Sequence, residues 1–254
     1  MNETLKTIRS LRTIHGNFSD REVSDGDLQT ILSACVRAAN ASGAQSYSVI
    51  VLDDREVMKK LGYAGSRALV FCVDLCRRFD MAGHLNIEIF SQNIISLITS
   101  STDTILAAQT AAIAAKSLGI DSMFTNCIHR AGLHDVYQLL NLPRQKCFPL
   151  IELILGYPDK EPAFQKGRLD GTGIIHYGTY KRLSGDEMDS LVELYDDKRK
   201  HLGMIENWEE EGFVHYLDYY YTAWNHNITE AKILEFYDVL TKAGFLDPDM
   251  VKGG

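Results

Sequence analysis

The sequence predicts an α/β or α+β fold in which helices cover both faces of a central sheet. Three observations predict it. Segments of helical and of strand periodicity alternate from the N-terminus to about residue 180. One strand-like run, ALVFCVDLC, is almost wholly apolar, as a strand covered on both faces must be. Beyond residue 180 the strand patterns cease and three helical segments follow.

In chain order, residues 3–14 have helical spacing, with Leu5, Ile8 and Leu11 on one face. SDREVSDGDLQTILSACVRAA opens on capping residues and continues with a helical period. SYSVIVLDD is a strand by its β-branched content, REVMKKLG a short helix and ALVFCVDLC the second strand. Residues 86–100 are expected to be helical. STDTILAAQTAAIAAKSLGI starts on cap-like residues, carries six alanines between 107 and 115 and stops before Gly119. Such small side chains let backbones approach closely, which suits a central core helix or a helix in a subunit interface. DSMFTNCI reads as a third strand with its loop, HRAGLHDVYQLLNLP as a helix stopped by Pro143, and FPLIELILGYP as a fourth strand. Then SGDEMDSLVELYDDKRKHLG, NWEEEGFVHYLDYYYTAWN and ITEAKILEFYDVLTKAGF read as helices rich in tyrosine. The expected organisation is a domain over 1–180 and a helical C-terminal extension over 181–254, acting as a lid or as an arm around a partner subunit.

Composition narrows the function. The 254 residues are 45% hydrophobic and 24% charged, ordinary for a globular protein, with a formal net charge of −8. That balance argues against a nucleic-acid partner, which needs surplus Lys and Arg to displace counterions. It leaves room for one local basic pocket that takes a small anion. No apolar run reaches about 18 residues, so no membrane-spanning helix is expected. MNETLKTIRSLR lacks the apolar stretch of a secretory signal, and the five cysteines form no CxxC pair, so the expected location is cytoplasmic with free thiols. Cys72 and Cys76 lie in an apolar run and its exit, and read as core thiols instead of a metal or redox pair.

GxGxxG after a strand, GxxxxGK followed by Ser or Thr, HExxH and GxSxG are all absent. The eight histidines are scattered; His129 and His134 lie five apart, off a common helix face. A hydrolase or metalloenzyme therefore has little support, and no metal is expected. Chemistry carried by a bound organic cofactor fits, because the protein then supplies cradle and electrostatics.

Three segments, IRSLRTIHGNFSDREV (8–23), ACVRAANASGAQSYSVIVL (34–52) and DTILAAQTAAIAAKSLGIDSMFTNCI (103–128), together resemble the nitroreductase family of FMN-dependent homodimeric oxidoreductases. The first is similar to I-x-x-R-R-S-I/V-R-x-F. Arg12, Thr13, Ile14 and His15 take the R-S-I/V-R positions, Leu11 takes the place of the family's other arginine, and Arg9 lies one turn back as its substitute. The resemblance implies a phosphate fork from Arg12, a hydroxyl from Thr13 for phosphate or ribityl, and His15 near flavin N1 and O2. Histidine titrates near neutral pH, so a positive charge at His15 would come and go there. In the second segment Gln45 and Tyr47 match, Ala39 and Gly43 depart from the pattern, and Asn40 replaces a serine that contacts the flavin. In the third, Asp103, Gln109, Leu118, Gly119 and Ser122 match, and Asn126 and Cys127 take the positions whose backbone N–H groups approach flavin N5 and O4. Cys127 itself reads as a packing thiol and His129 as a surface or packing histidine.

A fourth stretch, FQKGRLDGTG at 164–173, follows the turn LILGYP and resembles the family's K-x-R-L loop over the FMN phosphate. Lys166 and Arg168 would there neutralise a dianion with Arg12. The resemblance covers about residues 5–180. It implies an α+β fold of three layers with a central, mostly antiparallel sheet, and a homodimer with FMN at the subunit interface. The implied activity is ping-pong electron transfer from NAD(P)H through FMN to a nitroaromatic, quinone or similar acceptor. No catalytic side chain is demanded, because the chemistry centres on the flavin. The alternatives are a flavin enzyme of another reaction, dehalogenase-like or flavin-modifying, and a non-catalytic flavin-binding protein.

Overall fold

The computed structural model describes residues 1–89, 93–224 and 229–247. The chain forms two compact units, one of residues 1–161 with the segment from Glu230 onward, the other Pro162–Thr229.

The larger unit is built on a four-stranded sheet of order β1-β2-β4-β3, from β1 (Tyr47–Leu52), β2 (Arg67–Asp74), β3 (Asp121–Thr125) and β4 (Cys147–Gly156). Every pairing is antiparallel, which agrees with the α+β class implied by the resemblance. The two central strands are the two most apolar runs of the sequence. Alternate residues of each strand face opposite sides, and helices cover both. On one side Leu69, Phe71, Leu153 and Leu155 meet α2 (Asp25–Cys35) and α5 (Ile94–Ser117). Ala107, Ala108, Ala111, Ala112 and Ala115 form the buried stripe of α5, so the alanine-rich helix is a core helix. On the other side Val70 and Cys72 meet Ile128 and α6 (Leu133–Leu139). The C-terminal helix α9 (Glu230–Lys242) returns to this layer and buries Val239, followed by Ala243 and Phe245. Short helices α3 (Arg55–Leu61) and α4 (Cys76–His84) complete the unit.

The N-terminal helix α1 spans Glu3–Arg9 and not 3–14. Its continuation is pulled into extended backbone along β3. Thr13 bridges Ser122 in parallel, the Ile14 N–H donates to the Ser122 carbonyl at 3.2 Å, and Ile14 is buried. Burying Ile14 and pairing Arg12 with Asp121 outweighs one more helical turn. Asp121 is 3% exposed and accepts from Arg12 and from Lys116 at the end of α5, each at 2.6 Å.

The second difference lies at 86–118. Residues 85–89 are not helical, residues 90–92 lie outside the described residues, and one 24-residue helix replaces two expected ones. The cap-like Ser101–Asp103 falls inside that helix. Asp103 caps another segment instead: its carboxylate accepts the Ala41 N–H at 2.8 Å and the Ser46 N–H at 3.3 Å. Helix α4 starts at Cys76, earlier than the strand reading allowed, because the Asp74 carboxylate accepts the Cys76 N–H.

The smaller unit holds α7 (Gly185–Asp196), entered by a capping box of Ser184 and Glu187, and α8 (Tyr216–Tyr219), which runs into a π-turn over Tyr220–Trp224. The helix expected over 207–225 is shorter. Residues 208–212 form a turn, with Gly212 at φ +87 and Trp208 buried against Tyr216; Asn225 lies outside the described residues. Tyr195, Tyr219 and Tyr220 also pack on the Tyr216 ring. Among the described residues no helix is long and apolar enough to cross a membrane.

Two buried acids make opposite predictions. Burial pushes the Asp121 carboxyl up, but hydrogen bonds from Arg12 and Lys116 outweigh it and hold the group below the usual carboxylate range. Asp121→Asn should therefore cost about 2–4 kcal/mol in urea unfolding at neutral pH, since it leaves two cations without their buried partner. Glu152 is 0% exposed and burial alone pushes it up to about 8. Its folded-state pKa exceeds the unfolded one, so its contribution is full in acid and is lost as pH rises toward 8. Glu152→Gln should leave stability unchanged near pH 5 and raise it by on the order of a few kcal/mol near pH 9, checked by urea midpoints across that range.

Candidate active site

The segment Arg12–His15 lies beside the start of β3 through the Thr13–Ser122 bridge, and the Asn126–Cys127 loop leaves its end. β3 ends at Thr125, so at about 3.3 Å per residue positions 122 and 125 are roughly 10 Å apart. One small group cannot touch both; an elongated ligand can. Thr13, His15 and Asn126 are exposed and Cys127 is half-buried.

Arg12 does not present an open fork. Its Nε and Nη2 donate to Asp121 and its Nη1 donates to Glu161 at 2.8 Å. These bonds raise the guanidinium pKa further above its ordinary value. The first job of Arg12 is to hold its own segment against β3. Arg9 closes α1 and is engaged elsewhere.

The loop over 40–46 is shaped by backbone in the left-handed region, with Ser42 at φ +54, Gly43 at +67 and Gln45 at +48. Asp103 clamps it from α5, as described above. Inside it, Asn40 Oδ1 accepts the Gln45 N–H at 3.2 Å, and Gln45 Nε2 donates to the Val36 carbonyl at 3.1 Å. The structure thus brings Asn40 and Gln45 together. A role for the family-matching Asp103 was not assigned from sequence; its position, one carboxylate in a run of small residues, was the available signal.

At the other loop, the Cys127 N–H donates to Thr125 Oγ1 at 3.0 Å. The side chain of Cys127 packs on Gly62, where a Cβ would sit 2.5 Å from Cys127 Cβ. Gly62, at φ +134, is therefore required both by its backbone and by this contact. His129 is half-buried, its Nε2 on the Pro149 carbonyl at 2.9 Å and its ring edge-on to Phe236, and burial lowers its pKa. That agrees with a packing role.

Lys166 and Arg168 belong to the smaller unit. Lys166 Nζ donates to the Gly203 carbonyl at 2.5 Å, and Arg168 Nη1 to the carbonyls of Lys166 and Gly167. Between them the Gly167 N–H donates to the His201 carbonyl, and a Cβ on Gly167 would lie 2.0 Å from the Lys200 carbonyl oxygen. Phe164 stacks on His201 with ring centroids 3.6 Å apart. The loop is strapped to residues 200–203, so its cations are held in place. Among the described residues neither Lys166 nor Arg168 has a carboxylate partner. Positive charge held by carbonyls alone fits an anion such as a phosphate monoester.

No family model matches the sequence. Among curated proteins, the FMN reductase (NADPH) of Bacillus subtilis strain 168 is 30% identical over 207 residues, covering 77% of this chain and 81% of that protein. This chain belongs to that family, the nitroreductase-type flavin oxidoreductases. A second protein of the same bacterium, an NAD(P)H-type FMN reductase, is 29% identical over 240 residues, covering 87% of this chain and 94% of its own. The solved structure of NfrA2 from B. megaterium superposes with a TM-score of 0.77 at 25% identity, over 96% of this chain and 98% of that one. A match of that extent includes the segment beyond residue 180, where the sequence motifs alone carried no family likeness.

Gly167→Ala should unseat the loop, since the new methyl meets a backbone carbonyl that cannot swing away. The expected result is faster proteolysis between residues 164 and 203 in limited digestion, with the thermal midpoint lowered by only a few degrees.

Proposed function

We propose that this chain is an FMN-dependent oxidoreductase that moves electrons from NAD(P)H to a small electron-poor acceptor such as a nitroaromatic or a quinone. Kinship with the FMN reductases supports this reading, and the observation that carries it is the strapped loop of Lys166 and Arg168, two cations without a carboxylate partner among the described residues.

In this reading Lys166 and Arg168 bind the FMN phosphate as a point charge and a fork. The resemblance also assigns Arg12 to the phosphate, for which its Nη1 donor becomes available by exchange with Glu161. Glu161 is 74% exposed, so that surface pair is worth about 0–1 kcal/mol and yields to a dianion. Thr13 supplies a hydroxyl, and Arg9 stands in for the family arginine lost at Leu11. Asn40 and Gln45 present polar groups to the ring from the loop that Asp103 clamps. Asn126 and Cys127 present backbone at the ring's reactive edge, and His15 offers positive charge when protonated. Bound FMN supplies the hydride acceptance and the electron delivery. The side chains position and stabilise charge, and donor and acceptor occupy one slot in turn.

The working form in this reading is a homodimer in the cytoplasm. Support comes from an apolar face left open on the larger unit. Ile95, Ile98, Ile105 and Leu106 of α5 and Leu5 and Ile8 of α1 are all exposed. Such a surface normally marks an interface, and a second copy covers it. The segment after residue 180 serves as the lid or the arm of that assembly.

Arg168→Ala should weaken FMN binding to the apoprotein by at least about 1.5 kcal/mol, roughly tenfold, the typical loss of a charge-assisted hydrogen bond. Flavin fluorescence quenching measures it. Unchanged affinity would remove Arg168 from the site and take the main support from the proposal.

A further inference from the structure

Glu152 has no part in the reading above. It lies within β4, 0% exposed, and neither carboxyl oxygen has a hydrogen-bond partner among the described residues. Positions so enclosed take apolar side chains, as Leu153, Ile154 and Leu155 do in the same strand. An ionised carboxylate buried without a partner costs far more than leaving it protonated.

The register shows what the acid sits against. Glu152 is opposite Val70 on β2 and opposite Thr125 on β3. Directly paired side chains on one sheet face have Cβ atoms about 5 Å apart, within reach of a glutamate. Thr125 is the last residue of β3, and its hydroxyl oxygen already accepts the Cys127 N–H. One side-chain step therefore separates the acid from the backbone of the Asn126–Cys127 loop.

The surroundings offer no competing charge. Burial is the only cause that raises Glu152, with no contribution from another titratable group. Around it on that side of the sheet, α3 brings Met58 and Leu61, and α6 brings Leu133 and Val136. The titratable groups of this layer are occupied or neutral. His129 is on the Pro149 carbonyl, the Tyr137 hydroxyl donates to the Cys147 carbonyl, and a hydrogen bond with Cys72 together with burial keeps the Cys147 thiol protonated. Cys72 is a buried thiol and Cys127 a half-buried one. Glu56, Lys59 and Lys60 of α3 and Asp135 of α6 are exposed. On α9, Asp238 pairs with His134 and Lys242, and Glu235 accepts the His134 N–H and lies near Lys232.

We propose that Glu152 is a positioning residue for the Asn126–Cys127 loop: as a neutral acid it leaves the Thr125 hydroxyl free to fix the N–H of residue 127, and its ionisation draws that hydroxyl away and moves the loop. The neutral acid makes no hydrogen bond among the described residues, and the Thr125 oxygen holds the amide. Ionisation releases one proton to solvent and leaves a bare charge beside Thr125. The hydroxyl and nearby backbone then turn toward it, and the amide bond to Thr125 loosens. The significance of the loop for the flavin rests on the function proposed above; the coupling of Glu152 to the loop does not.

Apoprotein carrying Cys127→Ser, so that the thiol's own ionisation is silent, and labelled at glutamate Cδ and backbone nitrogen, is followed by NMR from about pH 6 to about pH 9.5. The expected result is one titration of the Glu152 carboxyl well above the ordinary carboxylate range, with the same inflection at the amide of position 127. Glu152→Gln should abolish that amide inflection. Thr125→Val should leave the carboxyl titration and uncouple the amide. A carboxyl that titrates in the ordinary acid range, or an amide that is flat while the carboxyl titrates, overturns the proposal. FMN affinity measured over the same range should fall at least threefold through the inflection and be flat in Glu152→Gln. Coupling in the apoprotein with pH-independent FMN affinity would uphold the positioning of the loop and sink the loop's assignment to the flavin.

Discussion

One carboxylate at the head of β3 orders much of the larger unit. Asp121 is buried where three pieces of chain meet: the extended N-terminal segment through Arg12, the end of α5 through Lys116, and the sheet through its own strand. Its desolvation is offset only because two cations converge on it. The consequence is positional. With Arg12 held, Thr13 bridges Ser122, Ile14 is buried, and His15 emerges at a defined point beside β3. The same strand, five residues later, releases the Asn126–Cys127 loop. A short strand thus separates two of the groups proposed to meet the cofactor.

A second clamp acts from the same helix. Asp103 spends its two oxygens on the backbone of the 41–46 loop, whose left-handed residues would otherwise have little to hold them. Helix α5 therefore does three things with three stripes. Alanines pack on the sheet, Asp103 holds the 41–46 loop and Lys116 the head of β3, and isoleucines lie exposed. Its length, 24 residues without a break, is what lets one element do all three.

The four strands, the core helices and their order were readable because period and apolar content state them directly. The alanine helix was readable as a core helix for the same reason. What escaped were the places where a tertiary partner outbids a local signal. The N-terminal helix ends at Arg9 because Arg12 and Ile14 have better partners on β3 than in another turn. Ser101–Asp103 looked like a helix start because a cap and a remote clamp use the same residues. Arg12 was legible as an important cation but not as one engaged by Asp121 and Glu161, since nothing local announces an ion pair 109 residues away in sequence. Glu152 stood in plain view as an acid inside LIELIL, where a charged residue at an inward strand position is already an anomaly. The 207–225 segment failed as a helix because Trp208 and Gly212 favour a turn packed on Tyr216.

Central to the proposed function is a flavin that accepts electrons from a nicotinamide. Anaerobic titration with NADPH and NADH, followed by the visible absorption spectrum, tests that most directly. The expected result is a yellow protein with stoichiometric FMN, which bleaches on addition of one or both nucleotides and regains colour when a quinone is added. Protein that retains no FMN at saturating cofactor, or bound FMN that neither nucleotide bleaches, would contradict it.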